Sequence, residues 1–269
     1  MPLSSGFAAR DRLTHLCAMT PQTFITTSWD DGHPLDLRIA EMLSRHGLTG
    51  TFYIPRSIPT GVMSASQIRE LAGSFEIGAH TLNHVFLTET DNSTAAAEIT
   101  GSKAWIEQVA GNSCAMFCPP AGRFNYHHEK MFAAAGFTGI RTVEFMSLDQ
   151  PRLHHGVMEM PTTIQAFPHP PTNYMKNLLK RLAARSLFRY LIHGRSGEWV
   201  LLARRLLDRA IATGGVFHLW GHSWEVEEMQ QWVQLEQVLS MLGQAVREAP
   251  CLTNGQICQR QQRAVRAVP

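Results

Sequence analysis

Residues 24–32 read Phe24-Ile25-Thr26-Thr27-Ser28-Trp29-Asp30-Asp31-Gly32. A run rich in β-branched and aromatic side chains ends on two carboxylates and a glycine. It is therefore expected to be a strand that delivers an acidic pair to its C-terminal end. Further along, a second such run, Phe75–Ala79, ends on His80-Thr81-Leu82-Asn83-His84. One carboxylate and two imidazoles can hold a divalent ion and leave a position open for water, the arrangement of catalytic rather than structural zinc. The remaining carboxylate is then free to accept a proton, and the set suits metal-assisted hydrolysis. An Asp-Asp-Gly after a strand also makes an ordinary turn, because Asp bonds its own backbone and Gly takes positive φ. The coincidence of the two motifs decides. Both lie just past an apolar run, and in a parallel barrel the strand C-terminal ends converge on one face.

The rest of the chain is consistent with such a barrel. Strands are expected at Phe24–Ser28, Gly50–Ile54, Phe75–Ala79, Ala115–Cys118, Gly139–Val143, Met158–Thr163, Val216–Trp220 and a short Cys251–Thr253. They alternate with helical patterns, which implies βα units and a parallel sheet. In the first helix Pro34 sits just inside, Leu35, Ile39, Met42 and Leu43 form the apolar face, and Gly47 stops it. Ser64-x-x-Gln67 reads as a capping box before Ile68 and Leu71. Longer helices are expected at about 93–109 and 225–246. Residues 1–22 lack periodicity and read as an arm, 23–258 as one α/β domain, and 259–269 as a polar, frayed tail. A chain of 269 residues suits a single α/β barrel, typically about 250 residues long.

Composition excludes several classes. A formal net charge of +2 gives no electrostatic case for nucleic acid. The five cysteines, Cys17, Cys114, Cys118, Cys251 and Cys258, lack Cys-x-x-Cys spacing, against both a disulfide framework and a cysteine-rich zinc module. The apolar stretch from Leu13 to Met19 is broken by Thr14 and His15 and does not read as a signal peptide. No run approaches a membrane span. The expected setting is cytoplasmic with reduced thiols. One segment does not fit a minimal barrel: Asn173 to Arg209 carries nine Lys or Arg against Glu198 and Asp208. Its first part, Tyr174–Ile192, reads as a basic amphipathic insertion before the last main strand. Leu178, Leu179, Leu182 and Leu191 lie near one face, and Lys176, Lys180, Arg181, Arg185 and Arg189 supply the charge. A solvated helix packed on the barrel is the plainer reading; contact with a membrane surface or an anionic, lipid-linked glycan is the other.

Three stretches resemble the first three motifs of the polysaccharide deacetylases (carbohydrate esterase family four): Thr26 to Gly32, Gly78-Ala79-His80-Thr81-Leu82-Asn83-His84, and Phe117-Cys118-Pro119-Pro120-Ala121-Gly122. Phe217-His218-Leu219-Trp220-Gly221-His222-Ser223-Trp224-Glu225 resembles that family's last histidine motif. The resemblance runs from about Phe24 to Asn254. It implies a distorted (β/α) barrel of about seven parallel strands and metal-dependent removal of an N- or O-acyl group from a sugar. Carried over, Asp30 is the general base and Asp31, His80 and His84 hold one divalent metal, zinc first, with cobalt, nickel, manganese or iron as alternatives. A metal-bound carboxylate is held anionic and accepts protons poorly, which agrees with that division. His222, in the position of the family's last histidine, is the candidate acid for the leaving amine. His218, two residues earlier and on the same strand face, is its rival. Trp220, Trp224, Pro120 and Gly122 are assigned to the substrate side, and His169, in Phe167-Pro168-His169-Pro170-Pro171, to the rim. His127-His128 and His154-His155 lie on turn-like sequence and are read as exposed. Ser28 and Ser223 lack a nucleophile elbow.

The third motif departs from the pattern. Where the family usually has an arginine this chain has Cys118, which has no fork of donors and no fixed charge. Arg123, past the Pro119-Pro120-Ala121-Gly122 turn, is the candidate substitute. If it does not approach Asp30, the Asp30 pKa should be raised. Two other functions use the same residues: a hydrolase of cyclic amides or ureide-like compounds, and a metal-free carbohydrate-binding remnant. Oligomeric state is not legible.

Overall fold

The architecture grows outward from the first strand. In the computed structural model, which describes residues 22–170, 172 and 198–267, β1 (Thr23–Asp30) is buried at every position. It pairs in parallel with β2 (Thr51–Ile54) on one side and β9 (Gly215–Gly221) on the other. The remaining strands are β3 (Glu76–Ala79), β4 (Met116–Phe117), β5 (Gly139–Arg141), β6 (Arg152–His154), β7 (Val157–Met160) and β8 (Ile164–Gln165). They form one sheet in the order β6-β7-β5-β4-β3-β2-β1-β9-β8. Every pairing is parallel except β6 with β7.

This sheet has nine strands where about seven were expected, for two reasons. The run Met158–Thr163 does not form one strand: Pro161 interrupts it, and β7 ends at Met160 while β8 starts at Ile164. β7 pairs at one end of the sheet and β8 at the other. Four residues reach at most about 14 Å, so the sheet must curl until its ends meet. The fold is a distorted (β/α) barrel. The second addition is β6, an exposed edge strand folded back through His155 (φ 41°) and Gly156 (φ 93°), the paired positive φ angles of a tight hairpin turn. Cys251–Thr253 contributes a single bridge to Ile25 rather than a strand.

Alternation along β1 separates two cores. Ile25 and Trp29 join the large apolar layer under the outer helices. Phe24 joins a smaller inner cluster with Tyr53, Met116, Cys118, Met158, Met160, Val216, Ile257 and Cys258. On the same inward face Thr26, Ser28 and Asp30 bond Asn254, His218 and Arg141 respectively. The interior is thus apolar at the strand N-terminal ends and polar towards the C-terminal ends.

The outer helices are α1 (Asp36–Arg45), α2 (Ala65–Leu71), α3 (Asn92–Ala110), α4 (Tyr126–Ala134) and α5 (Trp199–Thr213). The capping box read at Ser64 and Gln67 is present. Pro34 lies in the turn that enters α1, one residue before its N-cap Leu35. The helix expected at 225–246 is two, α6 (Ser223–Glu228) and α7 (Trp232–Ala245). Gln230 takes a left-handed conformation (φ 53°), Gln231 N–H bonds the Val226 carbonyl and Gln230 N–H that of Glu227, a helix-ending Schellman pattern without its usual glycine. The Gln231 side chain accepts from the Trp199 indole at 3.0 Å. The tail expected to fray past Cys258 is part of a further helix, α8 (Asn254–Arg266). Thr253 and Gln256 cap it reciprocally, and Ile257 and Cys258 plug the strand N-terminal end of the barrel. The basic stretch Tyr174–Ile192 and residues 1–21 of the expected arm lie outside the described residues. Among the described residues no helix is long and apolar enough to cross a membrane.

Candidate active site

At the C-terminal end of β1 the chain turns sharply. Asp31 (φ 78°) and Gly32 (φ 62°) both take positive φ, and a Cβ at position 32 would lie 2.5 Å from Ile54 Cγ2. Only glycine fits there, and the turn leaves both carboxylates facing the barrel mouth. After β3 the segment 80–84 is also strained, with Thr81 at φ 57° and His84 at 53°; for the β-branched Thr81 this is a true outlier. Glu98 of α3 holds that segment in place. Its carboxylate accepts from the backbone N–H groups of Leu82 and Asn83 at 2.9 and 2.8 Å and from the Asn83 amide at 2.6 Å.

These two turns bring Asp31, His80 and His84 together, with one ligand atom from each lying within 4.8 Å of the others. Nε2 of His80 and of His84 lie 3.5 and 3.2 Å from Asp31 Oδ1. His80 donates from Nδ1 to the Cys118 carbonyl at 2.6 Å, which fixes the tautomer and leaves Nε2 with a lone pair. The Trp224 indole donates to Asp31 Oδ2 at 2.9 Å, so Oδ1 is the free oxygen. It is buried and has no hydrogen-bond donor. A buried carboxylate oxygen facing two imidazole nitrogens is an orphaned anion, and the set fits a divalent cation. Burial disfavours the Asp31 charge, yet the two histidines hold its pKa low. Asp30, His80 and Cys118 offer an overlapping ligand set. It is the poorer one, because burial pushes the Cys118 thiol well up and Asp30 Oδ2 is already bound.

Arg141, at the end of β5, binds it. The guanidinium is fully buried and donates from Nη2 to Asp30 Oδ2. Its Cζ lies 4.7 Å from the Trp220 ring centre and 5.4 Å from that of Tyr53. Burial raises the Asp30 pKa, but the Arg141 charge, together with those of His80 and His222, outweighs it and the net shift is downward. Asp30 Oδ1 is buried without a partner and keeps its lone pairs. Across the mouth, His222 Nδ1 donates to Glu225 Oε2 at 2.5 Å, while Nε2 stands 3.9 Å from Asp30 Oδ2 and 4.0 Å from Asp31 Oδ2. Burial opposes the imidazolium, but the Glu225 bond and the surrounding carboxylates raise its pKa to about 9. Glu225 is itself braced: Gln165 donates to the same Oε2 at 2.7 Å and accepts from His169 Nε2 at 2.7 Å. His218 is different. It is fully buried, donates from Nδ1 to the Pro161 carbonyl and accepts from Ser28 Oγ. Burial and the Arg141 charge lower its pKa to about 3, so it is a neutral packing group.

The family model for polysaccharide deacetylases matches residues 18–140, a span that contains Asp30, Asp31, His80 and His84. Over that stretch the chain is similar to the polysaccharide deacetylases. No curated protein matches its sequence. The fold is shared with solved structures of low identity. One, from Mycobacterium smegmatis and assigned to the polysaccharide deacetylases, is 18% identical with a TM-score of 0.69 over 93% of each chain. A peptidoglycan N-acetylglucosamine deacetylase is 14% identical with a TM-score of 0.52, covering 90% of its own length and 89% of this chain. A mutant of a family pseudoenzyme with restored activity is 13% identical with a TM-score of 0.54, covering 89% of this chain and 68% of its own.

Where the resemblance implied an arginine in the third motif, Asp30 instead meets Arg141 from another strand. Arg123 does not approach Asp30: it is exposed, pairs with Glu89 and lies 4.4 Å above the Phe86 ring. The conditional expectation of a raised Asp30 pKa is overturned, because Arg141 carries the charge instead. Cys118 Sγ lies 3.9 Å from Asp30 Oδ2 and fills the space beside the pair. Trp220, expected to line a sugar site, is buried against Arg141 and Phe145. Trp224 is half-buried beside the His222 ring, with centroids 5.5 Å apart. Pro120 and Gly122 form a tight turn in which Ala121 also takes positive φ; a Cβ on Gly122 would run into Val143. His128 was read as exposed but is buried, where it caps α4 through Asn125 N–H. Sequence reasoning missed Arg141, Glu225, Gln165 and Glu98. Only Glu225 carried a signal, its spacing of three from His222.

Proposed function

We propose that this chain is a metal-dependent hydrolase that removes an acetyl or similar small acyl group from the nitrogen of an amino sugar or glycan precursor. The observation that carries the reading is the pair of groups at one mouth: a carboxylate held by Arg141 and an imidazolium held by Glu225, beside the cradle of Asp31, His80 and His84. A divalent cation in that cradle, zinc first, would acidify a water molecule and polarise the acyl carbonyl.

The chain's own residues supply the rest. Arg141 occupies Oδ2 of Asp30, so Oδ1 accepts the water proton. The lowered pKa makes Asp30 a weak base, matched only to a water that is already acidic. His222, protonated at neutral pH, gives the Nε2 proton to the leaving amine, and Glu225 keeps that nitrogen aimed at the mouth. Trp224 holds Asp31 by one oxygen and leaves the other for the cradle. Its half-buried ring is the surface offered to a sugar face.

The test is acetate release from N-acetylated amino-sugar oligomers by metal-loaded protein. Release that requires Asp31, His80 and His84 supports the proposal. Turnover of cyclic amides without acetate release would favour the ureide reading instead. A complete set of base, acid and ligands argues against a binding remnant, although a pseudoenzyme shares the fold.

A pH profile tests the acid. His222 must be protonated to act, so activity falls as pH rises through its pKa. Removing the Glu225 charge lowers that pKa, so Glu225→Gln should move the alkaline limb to lower pH and leave bound metal unchanged. An unmoved limb would assign the acid to another group.

A further inference from the structure

A second cluster of metal-ligating side chains lies outside the mouth, where α4 meets the β6–β7 hairpin. Glu129 of α4, His154 of β6 and Glu159 of β7 each offer one ligand atom, all within 4.8 Å of one another. His154 Nε2 is 4.0 Å from Glu159 Oε2, and His155 Nε2, in the hairpin turn, is 3.7 Å from Glu129 Oε2. Neither glutamate participates in the chemistry above.

We propose that this cluster is a second divalent-cation site, separate from the cradle at the barrel mouth and suited to zinc or a similar borderline metal. The deciding feature is Glu129. The residue is 9% exposed, and its Oε2 is buried without a hydrogen-bond donor while facing the His155 ring. A carboxylate oxygen in that position lacks compensation unless a cation or proton meets it. No basic side chain bonds Glu129 Oε2: Lys130 lies over the Tyr126 ring at 4.2 Å, and Arg152, opposite Glu159 in the hairpin, bonds Asp149 at 2.5 Å.

The donor set is two carboxylates and one or two imidazoles, the nitrogen and oxygen ligands that suit zinc, cobalt or nickel. Ligand bonds of about 2 Å allow roughly 4 Å across an ion. Closure therefore asks for a movement of roughly 1 Å, which the exposed His154 can make. The site also has a structural consequence. β6 is the exposed antiparallel end of the sheet, and a bound ion would fasten its hairpin to α4.

Zinc per chain after dialysis against a weak chelator is the test, read in the full-length protein and two variants. With both sites present, wild type holds two ions, His80→Ala/His84→Ala one, and His154→Ala/Glu159→Gln one. If the mouth holds no metal but the second site is real, the counts are one, one and none. Counts of one, none and one overturn the proposal and leave the mouth assignment standing. Because His154 is exposed, His154→Ala alone should fold, and it should lose the same ion. A second measurement uses the mouth-disabled variant: added zinc should raise its unfolding midpoint, and Glu129→Gln should abolish the rise. Weak zinc binding that these substitutions leave unchanged would mean adventitious surface binding and would also overturn the proposal.

Discussion

Replacing Arg141 by methionine is expected to destabilise the fold by about 3–5 kcal/mol, the usual cost of leaving one partner of a buried ion pair alone. Arg141 is fully buried and the Asp30 side chain is 4% exposed, so water cannot replace the lost charge. Asp30 would respond by holding its proton to higher pH, because burial then acts without the opposing arginine. The acid limb of the pH–rate profile should move up, since the base works only when ionised. Denaturant midpoints check the first effect and the pH profile the second. The double variant Asp30→Asn/Arg141→Met should recover part of the lost stability, because it no longer buries an uncompensated charge. A single variant as stable as wild type would mean that another cation faces Asp30.

Asp30→Asn is expected to leave the fold and the bound metal in place and to reduce turnover by about 10²–10⁴-fold, the range for loss of a general base. The amide oxygen still accepts from Arg141, which keeps the hydrogen bond but not the neutralising charge, so a lower denaturation midpoint is expected without loss of the fold. What disappears is the ability of the second oxygen to take up a proton. The comparison with His222→Ala separates the two ends of the reaction: both should be slow, but only the histidine variant should be rescued in part by substrates with a better leaving group. Full activity in Asp30→Asn with unchanged metal content would move the base elsewhere.

Local chemistry explains what could be read without coordinates. A buried strand ending in Asp-Asp-Gly, and a second ending in His-x-x-x-His, are short-range patterns. Their residues are neighbours in the chain, and strand ends in a parallel sheet fall on one face. The ligand candidates, the alternation of strands and helices, and the cap at Ser64 all depend on this kind of proximity. The same logic applied to Thr253-x-x-Gln256 would have found α8, whose polar surface hid the two residues that plug the barrel.

The partners of the site are another matter. Arg141 reaches Asp30 across 111 positions, and its sequence, Gly139-Ile140-Arg141-Thr142, carries no motif. Only the curl of the sheet brings the end of β5 opposite the end of β1 and seals the pair from water, which is what makes Arg141 rather than the nearer Arg123 the cation that matters. Likewise Met160 and Ile164 sit four residues apart at opposite ends of one sheet, a relation that exists only once the barrel has closed. The sequence by itself determined the strands, the two turns and the donor atoms they present, because those follow from neighbouring residues. Which charges face those donors was decided by tertiary structure, because burial and separation through space set electrostatic strength.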